Sequence, residues 1–180
     1  IIAENNLPQL GDGEIVVKVL LEDTIEEQAI REASIGTDPF LSVKDITSGK
    51  MSKEQIKTFE KALSHLQGKP VWRVGNSMAD HRSQKLTTAP MLLEALNWIT
   101  DTQQKRIRLV VVDYFQSIAA HARSKNMREI YIEQVDMLDS MAQGFGCPLL
   151  LLSQSNRTPD EQKRIPMKSD LQETSRLEQR

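Results

Sequence analysis

Glu22, Asp113 and Gln154 each stand at or just beyond the end of a run of apolar residues. A carboxylate in such a place suits an Mg²⁺ that must be held beside nucleotide phosphates. A second carboxylate nearby can orient or deprotonate the attacking water. An amide cannot act as a base at neutral pH, but it can hydrogen-bond the water or the γ-phosphate and so report its presence. The three residue types therefore point to chemistry driven by a nucleoside triphosphate.

Two of these residues also have ordinary structural explanations. Asp113 could cap a helix or lie at a solvated strand end, and Glu22 could be only the residue before a helix whose first turn is already acidic. Residue type and spacing leave both explanations open. A second apolar run that ends in Ser153 and Gln154 favours the metal-binding role for Asp113.

Four apolar runs predict the strands that carry these residues, near 14–21, 71–74, 108–113 and 148–153. The last two are apolar throughout, which is typical of strands buried on both faces of a parallel sheet. Because amphipathic helices alternate with the strands, we expect an α/β fold with a mostly parallel sheet flanked by helices. In such sheets the carboxyl ends of the strands line the ligand crevice.

Turn and capping residues predict the helices between the strands. Thr24 caps one helix, a short helix lies between Pro39 and Gly49, Ser52–Gln55 is a capping box, and 75–88 is a polar loop. The expected apolar faces are Ile56, Phe59, Leu63 and Leu66 after the capping box, Leu92, Leu96 and Ile99 in the next helix, and Tyr131, Val135, Leu138, Ala142 and Phe145 in the last.

The composition limits the class of protein. The 180 residues suffice for one domain, and 39% hydrophobic residues with a net charge of −2 fit a globular protein and exclude a polycation. The single cysteine, Cys147, is expected to be a small buried hydrophobe in a reduced compartment. The apolar runs are far too short to span a bilayer and no signal peptide is evident. We expect a cytosolic, mitochondrial-matrix or phage-encoded protein without a membrane role.

Basic residues cluster in two polar segments. No acid lies between Asp113 and Glu129, a stretch that contains the predicted loop at 117–127, whereas residues 157–180 carry six Lys/Arg and five Asp/Glu. Such segments could neutralise phosphates of a nucleic acid strand, and the lack of aromatic residues in both predicts contact with the backbone rather than with bases. Solvated charged loops are the alternative. The cations of the first segment, with its one histidine, are His121, Arg123, Lys125 and Arg128.

Together these segments resemble the motor domain of DnaB-type replicative DNA helicases, within the RecA-like ATPases, over nearly the whole chain. Residues 163–179 are similar to the family's Lys-Arg-Pro…Ser-Asp-Leu-Arg-Glu-Ser-Gly…Ile-Glu-Gln run, and residues 152–157 to its Leu-Ser-Gln-Leu-Asn-Arg. Three further segments are similar to the family pattern. Residues 20–28 match its Ser-Leu-Glu-Met-Ser-x-Glu-Gln, with Arg31 at the family's spacing, and residues 46–55 match its Gly-x-Leu segment. Residues 112–116 match its Asp-Tyr-Leu-Gln Walker B strand, which alone would be a weak match.

The resemblance implies a RecA-like motor of a ring helicase, a hexamer that uses ATP and Mg²⁺ to translocate on single-stranded DNA and unwind the duplex during replication. It implies a cytoplasmic protein, nucleoid-associated or phage-encoded, with primase and a helicase loader as further partners. Glu22, Asp113 and Gln154 would bind the nucleotide and serve as water-activating base, Mg²⁺ ligand and γ-phosphate sensor. The loops after the Asp113 and Gln154 strands would bind DNA, through Arg123, Lys125 and Arg128 and through Lys163, Arg164, Lys168, Glu173 and Arg176.

The chain also departs from the family pattern. Gln172 stands where the family usually has Arg, Ser175 where it has Gly, Asp23 where it has Met and Arg180 where it has Asp. These departures keep open a RecA-like regulatory or partner-binding module that does not hydrolyse ATP. A recombinase or circadian-type ATPase of the same superfamily is a further alternative, which the Ser-Asp-Leu…Leu-Glu-Gln run disfavours.

The sequence contains no G-x-x-x-x-G-K-[ST] loop. We therefore expect residues 1–180 to form a single RecA-like domain fragment that begins after the Walker A loop and ends before the strand with the family's trans-acting finger. Such a fragment could not hydrolyse ATP by itself.

Overall fold

The computed structural model describes residues 10–78, 88–118 and 127–153, with the backbone alone described at 127 and 128. In these residues four strands form one sheet in the order β2-β1-β3-β4, and every neighbouring pair is parallel. The predicted parallel α/β fold is confirmed. The strands are β1 (Glu14–Leu20), β2 (Val71–Gly75), β3 (Arg106–Asp113) and β4 (Leu149–Leu151).

Helices connect the strands and begin at polar caps. The capping box predicted at Ser52 is confirmed. Thr24 caps its helix as predicted and also forms a capping box with Glu27, and Ser42 forms another. Thr88 caps the helix with Pro90 in its first turn. The helices in the described residues are α1 (Ile25–Ile35), α2 (Val43–Thr47), α3 (Lys53–Gln67), α4 (Ala89–Asp101) and α5 (Met127–Phe145), with a 3₁₀ turn at Phe115–Ser117.

The main core lies on one face of the sheet, under α4 and α5. Alternate residues of β1 and β3 point into it, because successive side chains of a strand face opposite sides. Cys147 is buried there as expected. The core is made by Ile15, Val17, Val19, Leu21, Ile107, Val110 and Val112 from the strands and their ends, and by Leu92, Leu96, Ile99, Val135, Leu138 and Met141 from the helices.

The predicted apolar face of α3 is wrong at its first residue. Ile56 is 40% exposed. The buried contact between α3 and α1 instead centres on Ala62 and Leu66 against the fully buried Ala33. Two alanines allow the helices to approach closely, and a search for large apolar residues overlooks them.

The expectation that β4 is buried on both faces is also wrong. Leu149 and Leu151 pack against the main core, whereas Leu150, on the opposite face, is 36% exposed. The strand is also shorter than the predicted 148–153. Its leucines reflect burial on one face only. No helix among the described residues is long and apolar enough to cross a membrane.

Candidate nucleotide site at the carboxyl edge of the sheet

The register of the sheet brings the ends of three strands to one edge. Leu20, the last residue of β1, pairs with Asp113, the last residue of β3. Beyond these ends the Leu21 N–H donates to the Asp113 carbonyl at 3.0 Å, and the Phe115 N–H donates to the Leu152 carbonyl at 2.8 Å. The segments that carry the predicted site residues therefore leave the sheet side by side.

Asp113 is a partly buried carboxyl group in an acidic neighbourhood. Burial raises the pKa of Asp113 above its ordinary value, the negative charge of Asp23 raises it further, and Arg31 and Lys18 lower it. A carboxylate that is partly buried beside another carboxylate is stabilised by a cation. Mg²⁺ commonly takes only one or two protein carboxylates and completes its coordination with phosphates and water. Asp113 therefore fits the predicted Mg²⁺ ligand.

Glu22 lies at the same edge, in the turn between β1 and α1. Its side chain is exposed, so it is accessible to a water molecule above the sheet. The next residue, Asp23, pairs with Arg31 of α1. In the sequence, Asp23 stands out only as a departure from a family pattern. Asp23 comes near Asp113 because β1 pairs with β3. In the sequence, the eight-residue spacing from Asp23 to Arg31 was the available sign of their ion pair.

The turn with Glu22 is also attached to the end of β2. The Ile25 N–H donates to the Asn76 carbonyl at 2.8 Å. The carboxylate of Glu26 accepts from the Met78 N–H at 2.9 Å and from the Ser77 hydroxyl. These bonds fix the first turn of α1 against β2, so they hold the chain on both sides of Glu22.

A buried ionic cluster holds α1 on the sheet. Glu32 accepts from Lys18 of β1 at 2.6 Å, from Gln28 at 3.1 Å, and from Arg73 of β2. Burial alone raises the pKa of Glu32, but the hydrogen bonds from Lys18, Arg73 and Gln28 outweigh it and lower the pKa below its ordinary value. Glu32 is therefore ionised at neutral pH and joins two strands to the helix that follows Glu22.

Several predicted site residues lie outside the described part of the chain. Among the described residues no group of three or more His, Cys, Asp or Glu side chains could hold a metal ion. The backbone of Arg128 lies in the first turn of α5. Gln154, Arg123, Lys125, Lys163, Arg164, Lys168, Glu173 and Arg176 are outside the described residues.

Sequence comparisons identify related proteins. The family model of the DnaB-like helicase C terminal domain matches residues 2–180. The replicative DNA helicase DnaB of Helicobacter pylori is 25% identical over 174 residues, which are 96% of this chain and 33% of that protein. The replicative DNA helicase DnaB of Mycobacterium intracellulare is 29% identical over 140 residues, covering 77% of this chain and 23% of that protein. The chain thus spans about a third or less of the length of these relatives.

Structural comparisons agree on the fold. A solved ATPase domain superimposes with a TM-score of 0.77 at 19% identity, covering 98% of this chain and 59% of that one. A DnaB-like replicative helicase, whose structure was described with its interactions with primase, superimposes with a TM-score of 0.78 at 19% identity, covering 98% and 41%. The RecA-like fold is therefore confirmed.

Proposed function

The chain belongs to the DnaB-like helicase C-terminal domain family, and from this premise we propose that it is the ATP-hydrolysing motor of a hexameric replicative helicase. The full-length protein translocates on single-stranded DNA and unwinds the duplex. The observation that carries this proposal is the pairing of the ends of β1 and β3, which puts the Glu22 turn beside the partly buried Asp113. We propose this activity for the full-length protein, since the chain spans only about a third of its relatives.

The residues at the sheet edge divide the work of phosphoryl transfer. Asp113 would hold Mg²⁺, directly or through water, and the ion would supply charge neutralisation for the phosphates of ATP. Glu22, which is exposed, orients or deprotonates the attacking water. Gln154, just after Ser153, hydrogen-bonds the γ-phosphate and senses its loss. Neither carboxylate needs unusual chemistry, because positioning and electrostatics account for most of this catalysis.

The two basic segments that follow β3 and β4 are the proposed DNA contacts. Both segments continue from strands whose carboxyl ends lie at the nucleotide edge, so a change at the nucleotide can be transmitted to them. Their cations bind phosphates, and binding is therefore indifferent to base sequence and sensitive to salt. The proposed residues are Arg123, Lys125 and Arg128 after β3, and Lys163, Arg164, Lys168, Glu173 and Arg176 after β4.

The proposed partners follow from the family. A solved relative was described with its interactions with primase. We propose that the full-length protein also contacts a primase and a helicase loader, assembles as a homohexamer, and works in the cytoplasm at the nucleoid or on phage DNA.

Replacement of the proposed base tests the catalytic assignment. In the full-length protein, Glu22→Gln keeps the size of the side chain and removes its ability to take a proton. Turnover should fall by about 10²- to 10⁴-fold, while the Kd for ATP changes little. Glu60→Gln, an exposed substitution on α3, is the matched control and should leave turnover unchanged. Retained turnover in Glu22→Gln would place the base elsewhere.

A second function is supported by one observation at the site. Asp23, beside Asp113, stands where the family pattern has Met, and it could reflect a module that binds nucleotide or a partner without hydrolysis. The ATPase activity of the wild-type full-length protein separates the two. A protein that binds ATP, assembles and shows no turnover with or without DNA would support the non-hydrolysing module.

A further inference from the structure

Gln116 connects the two segments that leave the sheet toward the proposed DNA loops. It lies in the 3₁₀ turn that follows Asp113 by one residue, and its Nε2 donates to the Ser153 hydroxyl at 2.8 Å. Ser153 immediately precedes Gln154, the proposed γ-phosphate sensor. The bond joins residues 37 positions apart and is partly buried.

The backbone beside Gln116 is fixed on both strands. The Phe115 N–H donates to the Leu152 carbonyl at 2.8 Å, and the Leu152 N–H donates to the Val112 carbonyl at 3.0 Å. The Phe115 side chain is fully buried and its ring lies 5.6 Å from that of Tyr131 on α5. Because the residue before Gln116 cannot move without disturbing the core, the amide of Gln116 is held within reach of Ser153.

The other end of the same turn is held by a buried glutamine. Gln134 of α5 is only 4% exposed, and its Nε2 donates to the carbonyl of Ile118. Its Oε1 is buried and accepts no hydrogen bond from the described residues. A buried acceptor without a partner is destabilising, so packing alone does not account for an amide at this position. Ile118 is the last described residue before the predicted DNA loop with Arg123 and Lys125.

We propose that Gln116 is a positioning residue that couples the nucleotide state at Gln154 to the DNA loop after β3, through its hydrogen bond to Ser153. A shift of Gln154 on loss of the γ-phosphate moves Ser153 and alters this bond. The turn that ends at Ile118 responds to this change, and the buried Oε1 of Gln134 can accept a backbone N–H in the altered arrangement. The inference rests on the proposed function, because it needs both ATP hydrolysis and DNA binding.

The chemistry fits a switch better than a fixed clamp. A single neutral hydrogen bond contributes little net stability, so it can be broken and re-formed in each cycle. Coupling between two sites requires contacts that differ in free energy between the two states. Phe115 anchors the start of the turn, so a change in the bond between Gln116 and Ser153 acts on the Ile118 end of the turn.

Substitutions on both sides of the bond test the proposal in the full-length protein. Ser153→Ala removes the acceptor, Gln116→Met removes the donor at similar length, and Ser153→Thr keeps a hydroxyl. Ser140→Ala is the matched control, since that hydroxyl donates within its own helix, to the Asp136 carbonyl at 2.8 Å. ATPase rates with and without single-stranded DNA are measured, together with the Kd for DNA in a non-hydrolysable ATP analogue and in ADP.

We expect Ser153→Ala and Gln116→Met each to keep the basal ATPase rate within about twofold of wild type. In each, the stimulation of ATPase by DNA should fall by about fivefold, which is at the low end of typical coupling free energies between sites. The ratio between the Kd for DNA in ADP and the Kd for DNA in the ATP analogue should move toward one by the same factor. The double variant should be no worse than either single one, because both remove the same bond. Ser153→Thr should retain the stimulation and Ser140→Ala should behave as wild type.

Other outcomes overturn the inference. Unchanged DNA stimulation in both single variants, or additive losses in the double variant, would show that the bond does not couple the sites. A parallel loss of basal ATPase and melting temperature would show a structural role instead. A wild-type protein without ATPase or without DNA stimulation would overturn the proposed function and this inference together, which distinguishes the two failures.

Discussion

At the scale of single residues, the local charge around Asp113 distinguishes this site. Asp23 approaches Asp113 while pairing with Arg31, so the site carries one more negative charge than a family pattern with Met at that position. An added carboxylate strengthens the attraction for a cation, and an arginine paired to it reduces the repulsion between the two acids. The metal requirement of the proposed ATPase should therefore depend on Asp23.

The first prediction concerns that requirement. Asp23→Asn removes the added charge and leaves Arg31 without its carboxylate, so the Mg²⁺ concentration for half-maximal ATPase in the full-length protein should rise by about fivefold, equivalent to about 1 kcal/mol of lost attraction. Asp12→Asn is the matched control, since Asp12 is exposed in the turn before β1, at the opposite end of the strand. An unchanged Mg²⁺ requirement would contradict an electrostatic role for Asp23.

At the scale of elements, local patterns predicted most of the strands and helices correctly. The runs at 14–21 and 71–74 are strands, and the capping box at Ser52–Gln55 opens α3, because turn residues and caps act through near neighbours. The buried face of α3 and the one-sided burial of β4 depend on which elements pack against them. Neither can be read from spacing within one element.

Lys18, Glu32 and Arg73 show this limit most clearly. From the sequence, Lys18 in a central strand and Arg73 in its neighbour would be expected to be exposed to solvent. In the structure both side chains pair with the buried carboxylate of Glu32. Only the pairing of β1 with β2 and the packing of α1 across them bring the three together. The cluster therefore gives a stability prediction that the sequence could not.

That prediction is a pH dependence. The pKa of Glu32 is lower in the folded protein than its ordinary value of 4.5, so its stabilising contribution is complete above about pH 5 and is lost as the pH falls through the folded value. Glu32→Gln should lower the free energy of unfolding at pH 7 by roughly 3 kcal/mol, since Lys18 and Arg73 lose their carboxylate.

Urea unfolding followed by tryptophan fluorescence at several pH values measures this effect. The variant should also lose part of the decline in stability that wild type shows below pH 5. Glu60→Gln, exposed on α3, should follow the wild-type curve. Equal slopes for Glu32→Gln and wild type would mean that Glu32 is not ionised and bonded in the folded protein.

A further element-scale prediction concerns the close contact of β1 and β2. A Cβ atom at Gly75 would lie 2.6 Å from the Leu20 carbonyl oxygen and 3.0 Å from its Cβ. Gly75→Ala should therefore destabilise the protein by about 1–3 kcal/mol, because backbone must shift to relieve the overlap. It should also reduce ATPase activity, since Leu20 precedes the Glu22 turn.

Gly144→Ala provides the control for Gly75→Ala. Gly144 lies near the end of α5, and a Cβ added there meets nothing within 4 Å among the described residues. An alanine there should be neutral or stabilise the protein by up to about 1 kcal/mol, because it restricts the unfolded chain. Thermal unfolding of both variants measures the difference, and equal melting temperatures would contradict the predicted close contact.

At the scale of the whole molecule, the site is assembled from segments that are distant in sequence. The meeting of Glu22 and Asp113 at one edge was predictable, because parallel strands place their carboxyl ends together. The approach of Asp23 to Asp113 and the bond between Gln116 and Ser153 were not, since they depend on side-chain geometry across the register. The strand order determines which segments lie near one another, and the tertiary packing determines which of their side chains make contact.

The proposed DNA contact after β4 leads to a prediction for DNA binding by the full-length protein. Gln172 replaces the arginine of the family pattern, so Lys168 and Arg176 should carry more of the phosphate contact after β4, together with backbone amides. Each phosphate contact to a single strand contributes about 0.7 to the slope of log K against log salt. Neutralising Lys168 and Arg176 together, each to Gln, should therefore flatten that slope by about 1.4.

Titration of single-stranded DNA into the full-length protein at several salt concentrations measures the slope. Lys53→Gln with Lys57→Gln is the matched control, because both lysines are exposed on α3, outside the segments that follow β3 and β4, and the pair removes the same net charge. That control should keep the wild-type slope, since long-range charge is screened within about 10 Å at 0.1 M salt. An unchanged slope in the Lys168 and Arg176 variant would show that these residues do not bind the DNA backbone, and the contacts after β3 would then carry the salt dependence.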